Sequence, residues 1–153
     1  MEKERQQEDT YGDIKRSRNT LFLMEEIMIS NFTTEQLTKI IYEKLESLKY
    51  KIVLSNPTTE SKFPAIVLNT PLESTLKRYN QEILEKRFQI SIECWADKKY
   101  KVMQMTEEVS QILIKYNFFR TNTTADIYDN ITQKYRIIMT FEVKYDGLTN
   151  SFM

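Results

Sequence analysis

From Thr33 onward the apolar positions fall into readable periods. Thr33 followed by Gln36 has capping-box spacing, and Leu37, Ile40, Ile41, Leu45 and Leu48 recur at helical intervals, which predicts a first helix over about Thr34 to Lys49. KIVLS (Lys51 to Ser55) and FPAIVLN (Phe63 to Asn69) read as short strands, with Pro64 marking a strand's first residues or an edge. In Glu85 to Trp95, Phe88, Ile90, Ile92 and Cys94 alternate with Gln89, Ser91, Glu93 and Trp95, so the first set faces inward. Thr75 to Ile83 reads as the partner of that strand or as a long arm leading to it. Asp97 is the expected cap of a second helix over about Lys98 to Tyr116, with Val102, Met105, Val109, Ile112, Leu113 and Tyr116 on one stripe. Lys98, Lys99 and Lys101 oppose the dipole at its start, and Asn117 ends it. Phe118 to Thr123 reads as a short strand. Lys134 to Tyr145 alternates as a long antiparallel strand, with Tyr135, Ile137, Met139, Phe141, Val143 and Tyr145 on its apolar side. The order α-β-β-β-α-β-β predicts an α+β fold: a mostly antiparallel sheet with two main helices packed on one face, plus an N-terminal extension.

That extension differs from the rest. Met1 to Arg18 is charged and nearly free of aliphatic residues, too polar to offset its own ordering entropy, while Leu21 to Ile29 (LFLMEEIMI) reads as a short helix. The expected organisation is an N-terminal arm over 1–29, a single α+β domain over 30–147 and a C-terminal tail over 148–153. Gly12 and Gly147 are the only glycines, so tight turns at positive φ and glycine-rich phosphate loops are not expected in the middle of the chain.

Composition narrows the chemistry. The chain has 153 residues, a size that fits one domain with a real core. Lys plus Arg and Asp plus Glu number 22 each, so the basic excess of a polyanion binder is missing and no specific nucleic-acid recognition is expected. There is no histidine, which removes Ser/His/Asp and Cys/His triads and His-containing zinc sites. A single cysteine, Cys94, leaves no internal disulfide or multi-cysteine metal cluster. The longest apolar run, Leu21 to Met24, is far below the roughly 20 residues that span a bilayer, and Met1 to Arg5 lacks a signal-peptide core. The expectation is a soluble protein in a reducing compartment, with no cofactor, no metal and no membrane partner.

Each residue with chemical potential has a plainer reading. Cys94 falls on an inward strand face with no base to activate it and reads as a buried thiol. Glu25-Glu26 and Glu107-Glu108 are adjacent pairs that diverge by about 100° on a helix, so neither is a preset dyad. Asp126 and Asp129 could hold a hard cation, yet they lack EF-hand spacing and read as a solvated turn. Lys77-Arg78-Tyr79 and Lys98-Lys99-Tyr100-Lys101 interleave basic and aromatic residues as single-strand binders do, with acids close by. No catalytic set emerges and the chain does not read as an enzyme. As contact residues for other subunits the pattern offers Trp95, on the outward side of its strand, where packing under helix cover is the equal alternative, then Lys77, Arg78 and Tyr79, and Tyr11 and Phe22 on the arm.

Three stretches together resemble a known family. FQISIECWADKKYKVMQMTEEVSQILIKYNFFR (Phe88 to Arg120) resembles the strand, Trp turn, helix and short strand of the small tail-terminator and minor capsid (tail completion) proteins of tailed phages. YRIIMTFEVKYDG (Tyr135 to Gly147) resembles their closing strand, and TTEQLTKIIYEKLESL (Thr33 to Leu48) their opening helix. The resemblance implies a structural virion protein at the head-proximal end of the tail, assembled in the bacterial host cytoplasm. It also implies a ring, usually of six copies, which caps the tail tube and joins it to the neck or connector protein, with the tail sheath as a further partner. It carries no catalytic residues. The alternatives are a head-completion or neck protein of similar size and, from another class, a nucleic-acid-binding regulatory module whose binding falls steeply with salt. The Lys, Ile, Asn and Tyr content suits an AT-rich genome such as that of a prophage in a low-GC bacterium.

Overall fold

A computed structural model describes residues 32–80 and 82–153. Its first helix, α1 (Thr34–Leu45), begins with the capping box: the Gln36 amide donates to Thr33 Oγ1 at 3.2 Å, and the Thr33 amide donates to Gln36 Oε1 at 2.9 Å. Leu37, Ile41 and Leu45 fall on one stripe and are fully buried. A 3₁₀ turn over Glu46–Leu48 follows and Lys49 reverses the chain at φ 61°, so the last predicted turn tightens. After α1 come β1 (Lys51–Val53), β2 (Ala65–Leu68), β3 (Leu72–Tyr79) and β4 (Glu82–Ala96), then α2 (Lys99–Ile114), then β5 (Phe119–Thr123), β6 (Ile127–Asp129), β7 (Lys134–Asp146) and β8 (Ser151–Phe152).

The fold is α+β. One eight-stranded sheet, antiparallel except for the parallel β1–β2 pair, carries both helices on the face that bears Phe88, Ile90, Ile92 and Cys94. β4 and β7 form the central ladder, from Glu85 opposite Asp146 to Ala96 opposite Tyr135. The outer side of β4 is shared: β2 pairs with residues 92–95 and β3 with residues 82–89. The outer side of β7 is shared in the same way by β6, β5 and β8. The alternation read in both long strands holds, since Ile137, Met139, Phe141, Val143 and Tyr145 are buried with their β4 partners.

Five expectations change. Of the two readings of Thr75 to Ile83 the partner of β4 holds, but the strand is β3 over Leu72–Tyr79, with Ile83 already on β4, and β6 and β8 are strands that no period reveals. Asp97 does not cap α2: Lys98 is its N-cap, without a side-chain cap bond, because Asp97 is held 2.7 Å from the Lys134 ammonium on β7. The buried stripe of α2 runs through Thr106 and Ser110, and Tyr116 is exposed. Turns at positive φ do organise the middle of the chain, on Lys49, Asn80, Asn117, Gln133 and Asn150; asparagine tolerates this region at little cost, which replaces the missing glycines. Asn117 does end α2, at φ 68°. The predicted helix over Leu21 to Ile29 and the candidate contacts Tyr11 and Phe22 lie outside the described residues.

Phe32 closes the end of the core nearest β8. Its ring stacks on Tyr145 at 4.6 Å and meets Phe88 and Phe152 edge-on at 5.8 and 5.5 Å. Its carbonyl accepts from the buried Lys86 ammonium at 2.9 Å, and that ammonium also lies 2.7 Å from Glu73 on β3. One cation thus ties the start of α1, β4 and the edge strand together.

Candidate assembly surface

β3 is exposed at all eight positions, an unusual state for a strand in a sheet of eight. Among the described residues it pairs only with β4, and two register shifts, between Thr75 and Lys77 and between Lys77 and Arg78, distort its ladder. Asn80, at φ 46°, turns the chain between the paired Tyr79 and Glu82. The β4–β7 ladder stops at Glu85 opposite Asp146, so the outer part of the β3–β4 hairpin extends past the central pair. Lys77, Arg78 and Tyr79 sit on that part, all exposed, beside the half-exposed Leu76.

Trp95 lies elsewhere. It is at the opposite end of β4 and only 3% exposed, because the loop before β2 lays Phe63 over it at 6.4 Å and the Arg136 guanidinium covers its ring at 5.2 Å. Arg136 in turn pairs with the buried Glu93 at 3.2 Å, and the Asn69 amide donates to the second oxygen of Glu93 at 3.0 Å. Trp95 therefore packs within the protomer on the helix-free face, neither under helix cover nor at a surface open to another subunit. The structure brings Lys77, Arg78 and Tyr79 together and leaves Trp95 out.

The remaining candidates for chemistry among the described residues have partners within the chain. Burial pushes the Cys94 thiol up to about 12, a hydrogen bond with Thr106 offsetting only part of that, so the nucleophilic thiolate is absent at neutral pH. A Tyr50, Lys101 and Glu108 cluster has no local signature in the sequence because Tyr50 lies 51 and 58 residues from its two partners. The Tyr50 hydroxyl donates to Glu108 Oε2 at 2.9 Å, and the Lys101 ammonium donates to the Tyr50 oxygen at 3.1 Å. Partial burial raises the Tyr50 pKa, with Lys101 opposing and Glu108 adding to it, and the bond to Tyr50 raises that of Lys101. Both groups keep their protons at neutral pH, so neither is a base, and the cluster joins the end of α1 to α2. Asp126 pairs with Lys99 at 3.3 Å. Asp129 accepts from the Thr132 hydroxyl and amide at 2.6 and 2.8 Å, bonds that lower its pKa. Among the described residues no three His, Cys, Asp or Glu groups converge as metal ligands.

Two concavities have room for a partner's side chains. A groove of about 490 Å³ beside β5 has Glu85, Arg87, Glu142 and Lys144 in its wall, charges that cancel. Along the outer side of α1, a groove of about 430 Å³ ending at Asn69 to Pro71 adjoins a second of about 390 Å³; both are lined by Thr38, Lys39 and Leu54. Leu54, which the KIVLS pattern places in the body of a strand, lies just past β1 and is 65% exposed. No family model matches the chain, and no curated protein matches its sequence.

Proposed function

We propose that the protein is a non-enzymatic structural component of a phage virion, a tail terminator that forms a ring, six copies in the expected case, at the head-proximal end of the tail. In this reading it caps the tail tube and offers its other surface to the neck or connector protein, with the sheath as a further neighbour where the tail contracts. The observation that carries it is the hairpin: eight consecutive exposed edge residues, basic and aromatic at the tip, held by Lys86 on a well-packed α+β body. The hairpin's charges and two register shifts blunt edge-to-edge pairing, so the exposed side chains at its tip are what it offers another molecule. The resemblance of Thr33 to Gly147 to tail terminators supplies the particular assembly. Closed heterologous contacts around a cycle are what a ring of identical chains requires.

The deciding experiment is electron microscopy of particles made without this protein. Overlong tails, or tails not joined to heads, are the expected result. Tails of normal defined length properly joined to heads would sink the terminator reading.

A further inference from the structure

We propose that the tip of the β3–β4 hairpin of one copy seats in the α1 groove of a second copy, so that identical protomers join head to tail. The assignment rests on the self-assembling reading above and names the two surfaces that reading requires.

The two surfaces carry charges of opposite sign and exposed apolar groups. The hairpin brings Lys77 and Arg78, with Glu85 and Glu82 on its other strand, while the α1 groove brings Glu43 and Glu46 beside Lys39; none of Lys77, Arg78, Glu43 and Glu46 makes an ion pair among the described residues. The groove's other acid, Glu35, is already held 3.2 Å from Lys39. Exposed charges of opposite sign that lack an ion-pair partner among the described residues, Lys77 and Arg78 against Glu43 and Glu46, favour this pairing over others. The apolar parts match as well: Tyr79, 57% exposed at the tip, faces solvent with Leu76, and the groove presents Leu54 and Tyr42.

A hairpin tip seated in this groove must come from another copy. The groove ends at Pro71, directly before β3 begins, whereas the tip lies at the other end of the paired strand, from Leu72 opposite Gln89 to Tyr79 opposite Glu82. Seven steps of about 3.3 Å put tip and groove roughly 23 Å apart on one rigid ladder, so a chain cannot fill its own groove. Because donor and acceptor are different patches, the contact is heterologous and repeats from copy to copy until it closes. The competing contact is two-fold pairing of β3 edges, with Glu73 facing Arg78. The two register shifts in β3 interrupt the straight edge such pairing needs.

The test places cysteines at both surfaces of the full chain, Glu43→Cys with Arg78→Cys. Cys94 is buried, with its thiol pushed up to about 12, and does not compete. On oxidation the double variant should give a disulfide-linked ladder that ends in one closed species, with no ladder from either single variant. A second measurement is sedimentation against concentration: Lys77→Glu with Arg78→Glu should weaken association at least about tenfold, and adding Glu43→Lys with Glu46→Lys should restore it. Dimers alone would overturn the proposal in favour of a two-fold contact. Monomers alone, with sedimentation indifferent to the charge changes, would also overturn it. Rings seen by microscopy without the ladder would overturn these surfaces and leave the ring standing. A ladder from a protein whose loss leaves tails normal would remove the tail reading and keep the contact.

Discussion

β4 passes through two environments. From Ile90 to Ala96 it lies between β7 and β2 and packs against the helices, and Ile90, Ile92 and Cys94 have essentially no exposure. From Glu82 to Gln89 the same strand carries β3, exposed at every position, with the buried Phe88 and Lys86 as the ties back to the body. Backbone hydrogen bonds continue through both halves, so the ladder alone does not distinguish them. Burial does: side chains in the inner half hold the fold together, and those at the hairpin tip are available to another molecule. Substitutions that are large in one half should be nearly silent for stability in the other.

The inner half gives the largest contrast. Ile92→Ala removes fully buried methyl groups from the middle of the core and should cost about 2–5 kcal/mol in denaturant unfolding. Gln89→Ala, exposed three residues earlier, should cost under about 1 kcal/mol. Equal losses at the two positions would mean that the strand's register is off by one residue.

Cys94 sharpens the same contrast through pH. Its thiol is pushed from 9.0 up to about 12 in the folded protein, chiefly by burial, so below pH 9 both states hold the proton and the group is neutral to stability. Above that the unfolded chain releases the proton first, and stability should fall by up to about 1.4 kcal/mol per pH unit until the folded pKa is reached. The measurement is the thermal midpoint from pH 8 to 11 for the wild type and for Cys94→Ala. The wild type should lose the more as pH rises, and parallel curves would mean that the site is open to water.

The parts of this fold that the sequence disclosed are those where a local period or a local bond decides. The Thr33 and Gln36 box is three residues wide, and the alternations in β4 and β7 persist because one face of each is buried against the helices. β3 was read only in part, for the opposite reason: a strand exposed at every position has no alternation to show. Three-residue β6 and two-residue β8 are too short for any period, and exist because β7 offers them its outer side. Asp97 was misread as a cap because Lys134, distant in sequence, claims it. The assembly surface divides along the same line. Lys77, Arg78 and Tyr79 were visible as a basic and aromatic run, whereas the α1 groove joins Glu43 and Glu46 to Leu54 across a chain reversal that no local pattern announces. Trp95 pointed the right way for an interface, and only the fold shows that Phe63 and Arg136 cover it.

A smaller effect is expected at the helix cap. Thr33→Ala removes the acceptor for the Gln36 amide and should cost about 1 kcal/mol, read as a fall of about 2–4 °C in the thermal midpoint. Because Phe32 beside it anchors the aromatic cluster, loss of association in this variant without loss of stability would mean that the cap region, rather than the hairpin, meets the partner.

The smallest effect on stability is expected at the hairpin tip, and it is the most informative. Lys77→Glu with Arg78→Glu changes two exposed side chains that make no ion pair among the described residues, so unfolding should shift by less than about 0.5 kcal/mol. A tip that only capped the hairpin would stop there. A tip that meets an acidic groove faces four reversed charge relations at once, and in a closed ring that loss recurs at every contact. The variant should therefore fold, melt and resist protease as the wild type does while failing to assemble. A variant that is both unstable and unable to assemble would place the tip in the core half of the comparison and remove the hairpin as the surface that reaches a second molecule.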